Sequence, residues 1–164
     1  MWYVLQVSTG KETAVSGILA EQRVRACVPR ENRLIRKGGG WSRKEYTLFP
    51  GYVFLNMEYT AENYYMVKAI PGVLRFLGPD GLHPSSLSYL EAEWIKLLAG
   101  DGGPLEPTTA QLTPEGGVKF VDGILRHFPS RITKIDKHSR RATVELSVCG
   151  EPRAIPLSFN PLSE

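Results

Sequence analysis

From Trp2 to Val7 the chain is apolar or aromatic except at Gln6, the pattern of a buried strand. The Ser-Thr-Gly-Lys-Glu segment that follows supplies a turn, with Ser8 or Thr9 placed to cap a helix and Glu12 to complete a capping box. Val15, Ile18 and Leu19 then recur at helical spacing, which predicts an amphipathic helix between Glu12 and Arg25. Val28 and Leu34–Ile35 mark a second, more polar strand, and Gly38, Gly39 and Gly40 mark a loop tip. Tyr52 to Met57 is almost continuously apolar, as a central strand should be. Ala61 to Ile70 reads as a helix stopped by Pro71–Gly72, and Val73 to Leu77 as a short strand. Leu87, Leu90, Trp94, Leu97 and Leu98 repeat at helical spacing and predict a third helix. The order β-α-β-β-α-β-α is that of an α+β fold, a ferredoxin-like sandwich.

The pattern changes after residue 99. Residues 100–115 lack periodicity and are rich in Gly, Pro and Thr, which predicts a linker. Beyond it lie short apolar runs at Val118–Val121, Ile132–Ile135, Ala142–Val148 and Ala154–Phe159. They predict a small C-terminal β-barrel. The expected organisation is therefore a domain at 1–99, a linker at 100–115 and a β domain at 116–164.

Composition adds a charge asymmetry. The 164 residues carry a net charge of +3. Between Arg23 and Lys44 eight basic residues face one acid, Glu31, a local net charge of +7. From Asp101 onward the charges cancel. A positive field on one part of the chain suits a nucleic-acid partner. Arg36, Lys37, Arg43 and Lys44 flank the glycine loop, where they are either a nucleic-acid contact or a solvated face. Trp41 stands among them, and an exposed indole can stack on a base. Arg140 and Arg141 follow Lys137 and His138 in a later turn, as phosphate contacts or as a charged hairpin tip.

Catalytic signatures are not found. No nucleophile elbow, phosphate loop or metal-ligand spacing is present, and the Gly38–Gly40 run lacks the ending of a phosphate loop. Glu91 and Glu93 are two apart on a helix and point to different sides. The chain is not expected to be an enzyme, and no cofactor or metal is expected. Cys27 and Cys149 read as free thiols of a reducing, cytoplasmic setting. No apolar run is long enough for a membrane span, and the N-terminus lacks the pattern of a signal peptide.

The run Phe49-Pro50-Gly51-Tyr52-Val53-Phe54 admits two readings. One is a turn entering a core strand. In the other, Tyr52 and Phe54 share one face, opposite Val53, and leave an aromatic row for a partner.

Taken together, the opening WYVL, the TGKE helix start, FPGYVF near residue 50 and PGVLRFLG near residue 75 resemble the NusG family of transcription elongation factors. The second half resembles a KOW domain, an SH3-like barrel, with Ser130 where that pattern has glycine. The run KIDKHSRRATVEL is similar to specialised paralogues of the LoaP kind.

The resemblance implies transcription elongation and antitermination. The N-terminal domain would bind the clamp helices of RNA polymerase through Phe49, Tyr52 and Phe54, raising processivity on a specific set of operons. Nascent RNA or non-template DNA would be contacted by Lys11, Arg30, Arg36, Lys37, Trp41, Arg43, Lys44, Arg140 and Arg141. The KOW domain would take a further partner such as a ribosomal protein, and the factor would be a monomer. A rival reading is a ribosome- or RNA-binding KOW module without polymerase binding. A second rival, an enzyme on a ferredoxin-like scaffold, has no cluster of catalytic residues to support it.

Overall fold

The computed structural model describes residues 1–80 and 83–162. Its contacts divide the chain into two compact units. The first comprises Met1–Pro29, Phe49–Gly102 and Val148–Glu151; the second comprises Arg30–Leu48, Gly103–Ser147 and Pro152–Glu164. The segment from Arg30 to Leu48, which sequence order assigns to the first domain, thus keeps its contacts with the C-terminal strands.

In the first unit, β1 (Trp2–Val7) lies between β5 (Tyr52–Asn56) and β6 (Val73–Phe76), with β2 (Arg25–Cys27) at the edge beyond β5. The order β2-β5-β1-β6, with every pair antiparallel, is the ferredoxin-like arrangement expected from the sequence. Alternation sends Tyr3, Leu5, Val7, Val53 and Leu55 into a core with Val15 and Leu19 of α1 (Glu12–Glu21) and Val67 of α2 (Ala61–Lys68). The other strand face, carrying Trp2, Val4 and Phe54, is buried as well. This explains the nearly continuous apolar runs of both central strands.

Both ends of α1 differ from expectation. No side chain caps α1; instead the Glu12 carboxylate accepts the Gly10 N–H, and the Lys11 N–H donates to the Ser8 carbonyl at 2.9 Å. The helix stops at Glu21 because Arg23 turns left-handed at φ 61°, and the Val24 N–H closes onto the Leu19 carbonyl at 2.9 Å. The chain leaves the helix there and enters β2 at Arg25. The third helix, α3 (Tyr89–Ala99), begins with a full capping box. Ser88 Oγ accepts the Glu91 N–H at 3.1 Å and Glu91 Oε1 accepts the Ser88 N–H at 3.0 Å.

In the second unit, β3 (Arg30–Lys37) and β4 (Gly40–Thr47) form a two-stranded hairpin in unbroken register from Arg30↔Thr47 to Lys37↔Gly40. Gly38 and Gly39 make its two-residue turn with φ of 61° and 80°, the positive values that a twisted hairpin demands. The expected linker is partly structured. It contains β7 (Thr108–Leu112), and Leu105 exchanges two 2.8 Å backbone hydrogen bonds with Arg30 and Asn32.

Beyond it follow β8 (Val118–Asp122), a single 3-10 turn at Ile124–His127, β9 (Ile132–Asp136), β10 (Arg141–Val148) and β11 (Glu151–Pro161). The sheet order is β8-β7-β11-β10-β9, with register breaks at Thr109/Ala110 and Thr143/Val144 that curl it. Leu125, Phe128, Val144, Leu157 and Phe159 fill its core. Gly123, at φ 125°, is required there: a Cβ would come within 2.7 Å of Thr108, whose hydroxyl accepts the Leu125 N–H at 3.0 Å. Ser130 adopts no positive φ, so the turn does without the glycine of the KOW pattern.

Candidate functional site

Two surfaces carry the residues that the sequence singles out. On β5, Tyr52 and Phe54 do share a face, away from Val53, but they do not form an open aromatic row. Phe54 is fully buried, and Phe49, 4% exposed, meets it edge-on with ring centroids 5.2 Å apart. The reason lies in register: Phe54 stands between Val4 on β1 and Cys27 on β2, in the middle of a covered sheet face. Tyr52, half-buried, is opposite Gln6, and Gln6 is opposite Arg75 on β6. The Arg75 Nε–H donates to Gln6 Oε1 at 2.7 Å. Tyr52, Gln6 and Arg75 therefore form a row across three strands where the apolar face turns polar. The sequence signals this row only through Gln6, the one polar interruption in the apolar strand Trp2–Val7.

The second surface is the hairpin. Strand alternation divides its basic residues between two faces. Arg30, Leu34 and Arg36 on β3 face the same way as Trp41 and Arg43 on β4, whereas Arg33 and Lys37 share the opposite face with Lys44 and Tyr46. On the first face, Arg30 pairs with Glu45, and Arg43 Nε lies 3.2 Å from Glu106. The Arg36 guanidinium lies over the Trp41 ring at 5.7 Å, and Arg140, from the turn between β9 and β10, lies over it at 4.1 Å. On the second face, Arg33 sits 4.3 Å over Tyr46 and Lys44 sits 5.5 Å over the same ring. The structure thus brings Arg140 to the hairpin residues Arg36 and Trp41. Lys11, exposed at the start of α1, belongs to the other unit.

Glu31, counted in the sequence only as the lone acid of a basic run, anchors the hairpin. It is 2% exposed and accepts from Arg33 Nε at 2.7 Å and from the Ser158 N–H at 3.1 Å. Ser158 Oγ returns the contact by accepting the Leu34 N–H at 3.1 Å, and Arg141 Nη2 donates to the Leu34 carbonyl at 3.0 Å. Arg141 is therefore tied to the hairpin backbone rather than held out to solvent. Carboxylates from outside the basic run, Glu45 and Glu106, offset part of its charge, which a count along the sequence misses.

The remaining chemistry is quiet. Burial pushes the Cys27 thiol up to about 11, and burial followed by the Glu91 charge does the same to Cys149, so neither is an activated nucleophile. Among the described residues no group of His, Cys, Asp and Glu is arranged to hold a metal ion, and no helix is long and apolar enough to cross a membrane. Val118, Phe120, Leu125, Arg126, Ile132 and Ile135 line an open, mainly apolar groove of the second unit.

Comparison with known proteins adds lineage. The family model described as transcription termination factor NusG matches residues 1–96. The chain is similar to the transcription termination/antitermination protein NusG of Buchnera aphidicola subsp. Acyrthosiphon pisum, at 28% identity over 99% of this chain and 95% of the relative. The Bacillus subtilis protein of the same name is 27% identical, over 99% of this chain and 97% of its own length. Among solved structures, one described as domain interaction in Thermotoga maritima NusG shares the fold at a TM-score of 0.58 and 24% identity, covering 96% of this chain and 92% of that one.

Proposed function

Because the chain belongs to the NusG family, we propose that it is a transcription elongation and antitermination factor that binds RNA polymerase and contacts nucleic acid beside it. The observation that carries this reading is the family match over residues 1–96, together with relatives of that name along almost the whole chain. In this reading residues 1–99 form the polymerase-binding domain and 116–164 the KOW-like domain. The connection at 100–115 lends β7 to the C-terminal sheet.

The polymerase surface is centred on Tyr52, the half-buried member of the otherwise buried Phe49, Tyr52 and Phe54 set, with the clamp helices as its target. Phe49 and Phe54 are buried and pack edge-on against each other, Phe54 on the strand that carries it. A rigid, partly exposed aromatic backed by a packed core is the form an interface anchor takes. The nucleic-acid surface is the hairpin with Arg140. The apolar groove of the second unit serves a protein partner of the KOW domain, with a ribosomal protein as the candidate. The LoaP-like run at Lys134–Leu146 supports service to a dedicated set of operons.

The test is a binding titration against core RNA polymerase, paired with transcription through a pause and a terminator. Tyr52→Ala should weaken polymerase binding by about 2 kcal/mol, as expected for an anchor residue, and leave the melting temperature unchanged. Binding to ribosomal subunits or bare RNA, with none to polymerase, would replace this reading by that of a KOW-type RNA or ribosome module.

A further inference from the structure

The basic residues around the hairpin are sorted by their partners. Arg30, Arg33 and Arg43 each hold a carboxylate, supplied by Glu45, Glu31 and Glu106. Arg36 and Arg140 make no ion pair among the described residues; both lie against the Trp41 indole, at 5.7 and 4.1 Å. Arg36 faces Trp41 directly in the strand register. Arg140 is fixed by its surroundings. Its Nη1 donates to Asn160 Oδ1 at 3.4 Å and its carbonyl accepts the Phe159 N–H at 3.0 Å. It also holds a left-handed φ of 58°, a conformation that a non-glycine residue keeps only where neighbouring contacts impose it.

Two like charges at one ring repel each other, and among the described residues no carboxylate pairs with either of them. An indole holds a guanidinium by its flat face and leaves the N–H edge free. A guanidinium oriented in this way is ready for bidentate bonds to a phosphate. The same stacking takes up the ring surface that a base would need. We infer that Arg36, Trp41 and Arg140 form one phosphodiester-binding site, in which Trp41 positions two guanidiniums instead of stacking on a base. This deepens the nucleic-acid part of the proposed function and rests on it. The ligand is the sugar-phosphate backbone, and the site reads no sequence.

The experiment is a salt titration of the full chain against a short single-stranded DNA and against its abasic counterpart, the same sugar-phosphate chain without bases. Arg36→Gln and Arg140→Gln should each lower the log–log salt slope by about 0.7, the loss of one phosphate contact on a single strand. Trp41→Leu should cost as much slope as the loss of one arginine, and Trp41→Phe, which keeps a π face, should recover most of it. The abasic chain should bind within about twofold of the DNA, since a stacking site would lose about tenfold with its base. An abasic chain that binds tenfold or more weakly, with Trp41→Leu leaving the slope intact, overturns the inference in favour of base stacking. A slope that falls with Lys37→Gln/Lys44→Gln and not with either arginine variant overturns this site and leaves the nucleic-acid reading standing. Wild-type protein with no salt-dependent binding to either strand overturns the nucleic-acid reading itself. Arg36→Gln alters an exposed side chain, so the test holds even if Arg140→Gln disturbs its turn.

Discussion

The four-stranded sheet of the first unit and the β3–β4 hairpin of the second are both antiparallel, yet different forces hold them. Within the sheet, Val4, Leu5, Val53, Phe54 and Leu55 are wholly buried, so cohesion comes from apolar area removed from water. Along the hairpin, Leu34 is the buried apolar residue, and cohesion comes from the Glu31–Ser158 junction, three ion pairs and cation–π contacts. A sheet held by burial tolerates little substitution and keeps its geometry. A hairpin held by polar contacts leaves many charged side chains at the surface, where they are available to a ligand.

The sharpest break in this comparison is Phe54→Ala. Removing a fully buried ring from the centre of the sheet should cost about 4 kcal/mol by transfer and cavity terms combined, read as a lowered denaturation midpoint. A loss of polymerase binding with no loss of stability would instead make Phe54 a direct contact. Glu31→Ala should come next. It leaves the Ser158 N–H buried without a partner and Arg33 without its carboxylate, a cost of about 2–3 kcal/mol. Its effect should concentrate in the second unit, measured as faster amide exchange along β3 and β11. A cost below about 0.5 kcal/mol, the range of an exposed pair, would show the hairpin to be held by something other than this junction. The smallest effect belongs to Arg43→Gln. Both members of the Arg43–Glu106 pair are well exposed, so stability should change by less than about 0.5 kcal/mol in a thermal melt.

Much of the sheet was legible because its periodicities are strong. Trp2–Val7 was placed to the residue, and the shared face of Tyr52 and Phe54 followed from alternation alone. Helix ends are less legible: α1 ends four residues before Arg25 because nothing in the local sequence announces that Arg23 turns left-handed. β7 is not legible in the sequence, because Thr-Thr-Ala-Gln-Leu has little apolar pattern and the strand exists through its pairing with β8 and β11. At the candidate sites, residue types were readable and their states were not. Phe49, Tyr52 and Phe54 look alike in a string of letters, and only cross-strand neighbours separate the half-buried tyrosine from the two buried rings.

By itself the sequence determined the ferredoxin-like half, the small β half behind it, the family resemblance and the concentration of positive charge between Arg23 and Lys44. These depend on local period, motif order and composition, all of which are written along the chain. The tertiary structure decided which charges are neutralised, that Arg140 meets Trp41 across roughly a hundred residues of sequence, and that Glu31 is a buried anchor. Those outcomes depend on which side chains arrive at the same place, and ion pairing, burial and cation–π contact act over a few ångströms whatever the separation along the chain.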